Sequence, residues 1–419
     1  MTPRDRNETE APQNKDAPLS ERYPGLEVLS ADPENAQTAS RSHLETYLTP
    51  RGEHYIRNHH RTPKIDEDEW TVSLTGMVTD EDELTMDEIK HDYSTESVVH
   101  MMECSGNGRA FFSPEAEGDQ WTDGAIGNAI WTGTPVREIL NEYEAATGDG
   151  LWLSVMGGEA IDDEDVYCRS IPMAKILDDC LLAYEMNGKQ LTAEHGHPVR
   201  LLVPGWFGNN SVKWVERMHV MDTMVFGDEW TSKNGRDYTK YQQSSYRILP
   251  AQDDEPKQYA SVDIFSTHDQ MQSPDKIRNA YLFDQLVKSL ITSPTDDAEL
   301  TLPSDGKLEI TGIAWAGEDE VEHVEISVDG GKTWHKAEFI GPELGRHSVQ
   351  KFRYVWNADP GKQTLLSRAT DEHGRSQPAT ISDPEAGLRG IDGTEYPWNQ
   401  KGYGNNAYVP LGVSVTVRE

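Results

Sequence analysis

The stretch VVHMMECSGNGRAFF, residues 98–112, places a cysteine where a β-prone run meets a glycine-rich turn. Residues 97–103 have the apolar and β-branched side chains of a strand, so the pattern predicts that Cys104 directly follows a strand end. The backbone amides of a glycine-containing turn can form an anion-binding concavity, and Arg109 adds positive charge. We therefore expect a lowered pKa for the Cys104 thiol, which suits either a nucleophile or a ligand of a soft metal.

The other two cysteines carry no comparable signal. Cys168 and Cys180 stand in VYCRSIP and DDCLLAYEMNG, and both are interpreted as buried apolar side chains. Three cysteines without C-x-x-C spacing argue against a disulfide framework and against a structural zinc site. A nucleophilic Cys104 would need a base beside it, and His100 lies four residues upstream, too far along the strand. The residues alone leave both roles of Cys104 open.

The charge of the chain limits its partners. The 419 residues include 73 acidic and 38 basic side chains, a net charge of −35, which repels nucleic acids and anionic membranes at long range. The acidic residues form short runs such as DEDE at 66–69 and 80–83, typical of a surface adapted to high salt. We expect a halophilic source. No run of about 18 apolar residues and no export signal is seen, so we expect a cytoplasmic protein without a membrane span.

The pattern divides the chain into a tail and two domains. Residues 1–20 have no apolar run and are predicted to be a disordered acidic tail. Residues 21–287 mix strand-like and helix-like patterns, which indicates an α+β region. Residues 288–419 alternate apolar and polar side chains, which predicts a β-sandwich. In the first domain the predicted strands are 70–78, 97–103, 151–157 and 199–205, and the predicted helices are 135–146, 172–188 and 276–290.

Positive charges gather in four motifs of this otherwise acidic chain. Each cation alone is usually a solvated surface charge, but together they predict a deep site for a multiply anionic ligand. Glycine and asparagine among them allow close backbone approach, as a phosphate-bearing cofactor needs. The motifs are YIRNHHRTP (55–63), EHGHPVRLLVPGWFGNNSVKW (194–214), SKNGRDYTKY (232–241) and PWNQKGYGNN (397–406).

Over residues 50–419, these motifs resemble the sulfite oxidase family of molybdenum enzymes, of the haloarchaeal type without a haem domain. The C-terminal stretch VEISVDGGKTW is similar to the family's immunoglobulin-like dimerisation domain. The resemblance implies an α+β molybdopterin-binding domain followed by an immunoglobulin-like dimerisation domain. It rests on RNH (57–59), CSGNGR (104–109), WTDGAIGNAIWTG (121–133), SIP (170–172), LLAYEMNG (181–188), HGHPVR (195–200), SVKW (211–214) and RDY (236–238), in that order.

The resemblance also implies a Mo-molybdopterin cofactor and roles for the matching residues. Cys104 would be the thiolate ligand of molybdenum, beside the two sulfurs that the pterin supplies. A further set of residues would contact the pterin and its phosphate. This set is Arg57, Asn58, His59, His195, Arg200, Ser211 and Lys213.

The resemblance places four residues at the substrate. Arg57 and Arg109 would line its pocket, where a forked guanidinium can hold two oxygens of an oxyanion. Tyr238 would sit beside the metal centre, with a hydroxyl that could orient the substrate or help move a proton. Lys401 stands where many relatives carry arginine, which keeps the charge and loses the fork. This departure bears on how tightly sulfite binds.

The activity that the resemblance implies is oxidation of sulfite to sulfate by oxygen-atom transfer. No C-x-x-C-H haem attachment motif is seen, so we expect a separate electron acceptor, and we expect a homodimer. Three alternatives stay open: a nitrate or sulfoxide reductase of the same superfamily, a sulfur-oxidation subunit acting on protein-bound sulfur, and a non-enzymatic binding scaffold.

Overall fold

Strands make up most of the regular structure in this computed structural model, which describes residues 17–157, 166–225, 240–251, 256–272, 277–389 and 394–419. The helices are short. In the N-terminal region the strands are β1 (Leu26–Ala31), β2 (Glu34–Thr38), β3 (Thr71–Gly76), β4 (Asp82–Thr85), β5 (Glu96–Glu103), β6 (Ile126–Pro135), β7 (Trp152–Gly157), β8 (Cys168–Pro172), β9 (Leu181–Met186), β10 (Lys189–Gln190), β11 (Arg200–Leu202) and β12 (Val215–Met221). The helices are α1 (Leu19–Arg22), α2 (Met86–His91), α3 (Val136–Glu142), α4 (Met173–Asp179), α5 (Lys240–Gln243) and α6 (Thr267–Met271).

The remaining strands belong to the C-terminal region. They are β13 (Lys288–Ser293), β14 (Ala298–Thr301), β15 (Lys307–Trp315), β16 (Val321–Ser327), β17 (His335–Lys336), β18 (Glu338–Ile340), β19 (Gln350–Asn357), β20 (Gly361–Asp371), β21 (Thr380–Ile381), β22 (Glu395–Tyr396) and β23 (Val413–Arg418).

Two five-stranded sheets form the framework of the N-terminal region. One has the order β10–β9–β6–β5 with β11 also paired to β9, and the other has the order β4–β3–β12–β7–β8. The predicted strand over 97–103 is confirmed as β5, which pairs antiparallel with β6 up to Glu103, opposite Ile126. This register ends the strand directly before Cys104, as the sequence pattern predicted.

The C-terminal region is the predicted β-sandwich. A sheet of order β13–β15–β19–β18 packs on a sheet of order β14–β23–β20–β16–β17. The predicted alternation is confirmed: Val324 and Ile326 of β16 and Phe352 and Trp356 of β19 are buried in one apolar cluster. Every second residue of β23 from Val413 joins the same cluster. Burial of alternate side chains fixes the register of these strands.

Two of the three predicted helices are corrected by the structure. The helix predicted over 135–146 is confirmed in part as α3. The helix predicted over 172–188 ends with α4, and its second half is strand β9. The helix predicted over 276–290 is absent from the described residues 278–290, which form a turn and irregular chain before β13 begins at Lys288. In both errors consecutive residues are buried, whereas an amphipathic helix would leave one face exposed.

The predicted tail and domain boundaries stay predictions. Residues 1–16 lie outside the described part of the chain, and Leu19, within the predicted tail, is buried in α1. β13 begins at Lys288, the first residue of the predicted second domain. Among the described residues, no helix is long and apolar enough to cross a membrane.

The two regions share a continuous interior. Met101 of β5 and Ile126 of β6 pack with Leu290 of β13 and Trp315 of β15 in one buried cluster. The chain after β22 returns to the N-terminal region, where Trp398 is part of the largest apolar cluster. Segments from both regions therefore meet around the end of β5, where Cys104 lies.

Candidate active site

A tight turn holds Cys104 at the end of β5. The Cys104 backbone N–H donates to Ala125 O at 2.9 Å, and its carbonyl accepts from Asn107 N at 2.9 Å. The Gly106 N–H points at the Cys104 sulfur, 3.4 Å away. Gly108 has a φ of 89°, a left-handed conformation that glycine adopts without strain. The turn thus directs a backbone N–H at the sulfur and fixes the position of the sulfur.

The expected lowering of the Cys104 pKa is wrong. Burial raises the pKa of this thiol above its ordinary value, although Arg57, the Gly106 N–H and Arg109 each act to lower it. Cys104 is only 6% exposed, so desolvation of the thiolate outweighs the nearby positive charges. Without a metal the group is a thiol, and a bound cation would supply the missing stabilisation of the thiolate.

Cys104 lines a cleft of about 610 Å³, part of it open to solvent, which we term the Cys104 cleft. Seven residues predicted from the sequence meet there: Arg57, His59, Cys104, His195, Arg200, Ser211 and Lys213. The cleft is also lined by residues that the sequence analysis did not single out: His54, Tyr55, Met102, Tyr167, Glu194, Gly208, Asn209 and Tyr246.

Asn58 lies behind the wall of the cleft rather than in it. Its side-chain oxygen accepts a hydrogen bond from Lys213 Nζ, which also donates to Glu194 O at 2.9 Å. The Asn58 backbone N–H donates to Asn35 Oδ1 at 2.7 Å. Asn58 therefore holds the Lys213 ammonium at the edge of the cleft and anchors the segment that carries Arg57.

Arg200 brings a buried positive charge to the cleft. Its guanidinium donates to His195 O and Ser211 O, both at 3.0 Å, and lies 5.0 Å from the centre of the Trp131 ring. Burial lowers the pKa of Arg200 to about 10, which still leaves it charged near neutral pH. Burial also lowers the pKa of His195 well below its ordinary value, so this imidazole is neutral. The cleft thus combines a fixed cation with a neutral donor or acceptor.

Glu194 does not neutralise these cations. Its carboxylate accepts from Tyr23 Oη at 2.6 Å and from Arg22. Although burial raises the pKa of Glu194, the hydrogen bond from Tyr23 and the charge of Arg22 bring it below its ordinary value. The Glu194 carboxylate is therefore already paired with Arg22 and Tyr23. The cleft keeps the positive charge of Arg57, Arg200 and Lys213.

Tyr246 is the most informative residue that the sequence analysis missed. Its hydroxyl is hydrogen-bonded to His59 Nε2, and its ring packs on Tyr403 with centroids 5.1 Å apart. It has a φ of 58°, which is uncommon for a large side chain and points to a functional constraint. The motif SSYRI offers no signal that would have found it.

Two predicted substrate residues do not line the cleft. The Arg109 guanidinium donates to Lys401 O at 2.6 Å and Asp119 O at 2.8 Å, and lies 5.3 Å from the centre of the Tyr403 ring. The Lys401 ammonium pairs with Glu117, and its side chain is 42% exposed. Arg109 nevertheless acts electrostatically on Cys104. Tyr238 lies outside the described residues.

The polar atoms of the cleft fit an anionic, heteroatom-rich cofactor. Among the described residues, Arg200 Nε and Asn209 Oδ1 are buried without a hydrogen-bond partner. Such atoms are costly to leave unpaired, so a ligand that pairs them would bind favourably. The donor set, with a sulfur at one end and cations along the wall, suits a soft metal joined to a phosphate-bearing group.

Two known families match the chain in sequence. Residues 59–228 match the family described as oxidoreductase molybdopterin binding domain, and residues 280–408 match the Mo-co oxidoreductase dimerisation domain. The second match includes strands of the sandwich and the returning segment with Trp398. The first includes Cys104 and most of the cleft.

Individual relatives agree with these matches. The mitochondrial sulfite oxidase of Rattus norvegicus is 29% identical over 88% of this chain, which spans 64% of the length of that protein. An inducible NADH nitrate reductase of Glycine max is 27% identical over 88% of this chain and 39% of its own length. The crystal structure of the sulfane dehydrogenase SoxCD from Paracoccus pantotrophus superposes with a TM-score of 0.69 at 28% identity, covering 98% of this chain and 96% of that one.

Proposed function

Because the chain carries the molybdopterin-binding and dimerisation domains of sulfite-oxidase-family molybdenum oxidoreductases, we propose that it oxidises sulfite to sulfate and passes the electrons to a separate acceptor. The cofactor of these domains is Mo-molybdopterin, which supplies oxygen-atom and electron transfer when bound. The observation that carries the proposal is the meeting of the Cys104 sulfur with the Arg57 guanidinium in one cleft.

The cleft residues would hold the cofactor at its metal and at its phosphate. Cys104 would bind the metal, since its sulfur lines the cleft and the turn fixes its direction. Arg200 and Lys213 would pair with the phosphate, because both bring positive charge to the wall. His59, fixed by the Tyr246 hydroxyl, and neutral His195 would contact the pterin.

Arg57 is the residue best placed to bind the substrate. Burial acts against its charge, but the pKa of Arg57 is raised overall, with the Asp119 carboxylate among the groups that favour the charged form, so the guanidinium stays charged. Arg109 would support the pocket electrostatically and through Tyr403. Because the Lys401 ammonium pairs with Glu117, we do not assign it a direct contact with sulfite.

Two other substrates have specific support. The match to a nitrate reductase over 88% of this chain keeps nitrate reduction as an alternative. The match to the sulfane dehydrogenase over 98% of the chain supports sulfane sulfur as a third substrate. Cys104 and the surrounding cations would serve all three reactions, so the substrate has to be measured.

We expect sulfite to be the preferred substrate of the purified, molybdenum-loaded protein. Steady-state rates per molybdenum would be compared for sulfite with ferricyanide, for a persulfide-bearing peptide with ferricyanide, and for nitrate with a reduced dye. The proposal predicts the largest kcat/KM for sulfite. Nitrate reduction without sulfite oxidation would make the protein a reductase, and molybdenum-free protein with none of these activities would support the scaffold alternative.

The dimerisation domain supports a homodimer, which we propose as the state in solution. Sedimentation at micromolar protein and high salt is expected to give twice the chain mass of 47.1 kDa. A single-chain mass under those conditions would contradict the dimer.

The last two proposals concern the source of the protein and its location in the cell. The net charge of −35 supports a halophilic, haloarchaeal-type member of the family. We also propose a cytoplasmic location. The halophilic source and this location both stay predictions.

A further inference from the structure

A buried ion pair lies directly behind the candidate metal ligand. Glu103 is the last residue of β5, and its carboxylate Oε1 is 2.9 Å from Lys288 Nζ at the start of β13. Both side chains are almost fully buried, with exposures of 3% and 2%. Burying two charges is costly and seldom stabilises a protein relative to an apolar pair, so this pair calls for a functional explanation.

Every atom of the pair has a further partner. The Glu103 carboxylate also accepts from Trp315 Nε1 at 2.9 Å and from Asn107 Nδ2 at 3.0 Å. Lys288 Nζ also donates to Asn405 O at 2.7 Å. The partners come from the turn after Cys104, from the sandwich strands β13 and β15, and from the returning segment near the C-terminus. Three distant parts of the chain thus meet at the residue before the cysteine.

The same partners hold the cysteine turn. Asn107, which bonds to Glu103, also accepts from Ala125 N at 3.2 Å, beside the Ala125 carbonyl that holds Cys104 N. Asn405 Nδ2 donates to Gly108 O at 2.9 Å. Movement of Glu103 or of Asn405 would therefore shift the turn on both sides of the sulfur.

We infer that Glu103 and Lys288 are positioning residues, which fix the Cys104 turn from the C-terminal domain and so set the direction of the sulfur. The inference rests on the proposed function only in that Cys104 holds the metal. The two charges give the contact a single geometry, because each charged group would be left unpaired by any other arrangement.

Hydrogen–deuterium exchange of the purified protein tests this inference. In Lys288→Met the Glu103 carboxylate loses its counter-charge, and the amides of residues 104–109 are expected to exchange roughly tenfold or more faster. The double variant Glu103→Gln/Lys288→Met leaves no unpaired charge and is expected to restore slow exchange in this turn. Exchange in strand β3, which pairs with β4 and β12 in a separate sheet, should not change.

A matched control comes from the sandwich. Arg368 of β20 pairs with Glu325 of β16 at 2.5 Å, and both side chains are partly buried. Arg368→Met removes an ion pair whose partners, Glu325 and the rings of Trp334 and Tyr408, do not belong to the turn, so it should leave the exchange of residues 104–109 as in the wild type. If Lys288→Met does not yield folded protein, Glu103→Gln serves in its place, because it keeps the shape of the side chain while removing its charge and one of its two acceptor oxygens.

Two results would overturn the inference. Unchanged exchange of residues 104–109 in the single variants would show that the pair does not hold the turn. Equal acceleration in the double variant would show that loss of packing, not the charge pair, is responsible. The readout does not depend on substrate, so failure of sulfite oxidation would leave the inference standing, and unchanged exchange in a sulfite-oxidising protein would refute only the inference.

Discussion

Replacing Cys104 by serine is expected to abolish sulfite oxidation while leaving the fold intact. Serine retains the backbone hydrogen bond to Ala125 and can accept from the Gly106 N–H, so the turn should form. A hydroxyl oxygen is a harder and less readily ionised ligand than a thiol, so it is a poor substitute on a sulfur-bound metal. We expect kcat per molybdenum to fall by more than the ~100-fold that loss of an outer partner of a metal ligand costs.

Cys180→Ser is the matched control. The Cys180 thiol is buried outside the Cys104 cleft and donates to Lys175 O at 3.4 Å, a contact that serine can keep. This variant should retain the activity and melting temperature of the wild type closely. An active Cys104→Ser protein would contradict the role of the sulfur, and an unfolded one would be recognised by its circular dichroism.

The second large effect is expected for Arg57→Met. Methionine keeps much of the length and packing of arginine but removes the charge beside Cys104. Loss of one preorganised donor to a developing oxyanion typically costs about 10²–10³ in rate, and we expect kcat/KM for sulfite per molybdenum to fall by that factor. Normalising to molybdenum separates substrate binding from cofactor loss.

Arg61→Met tests whether any nearby arginine would behave in the same way. Arg61 lies on the same segment, but its side chain is 74% exposed and pairs with Asp32. Exposed ion pairs contribute little, so kcat/KM is expected to change by less than about twofold. A loss in Arg57→Met no greater than in Arg61→Met would exclude Arg57 from the substrate pocket.

Local patterns predicted much of the framework. The end of β5 before Cys104 and the alternation in β16 and β23 follow from side chains that are near neighbours in sequence. The order of motifs, read as a family resemblance, brought together residues as distant as Arg57 and Lys213, which the structure places in one cleft. Periodicity alone could not have paired them.

Other features depend on tertiary contacts, which the sequence pattern does not show. Burial of Cys104 overrides the cations that would lower its pKa, and burial depends on the whole fold. Lys401 pairs with Glu117, far away in sequence, although the family resemblance implied a place in the substrate pocket. The residues of the missed strand β9 have helix-like composition, but β6 on one side and β10 and β11 on the other provide pairing partners that only the fold supplies.

X-ray absorption at the molybdenum edge of the purified wild-type protein and of Cys104→Ser tests the central claim most directly. If the Cys104 sulfur binds the metal, the sulfur shell of the wild type contains one more scatterer than that of the variant. Identical sulfur shells in the two proteins, at equal molybdenum content, would contradict the account.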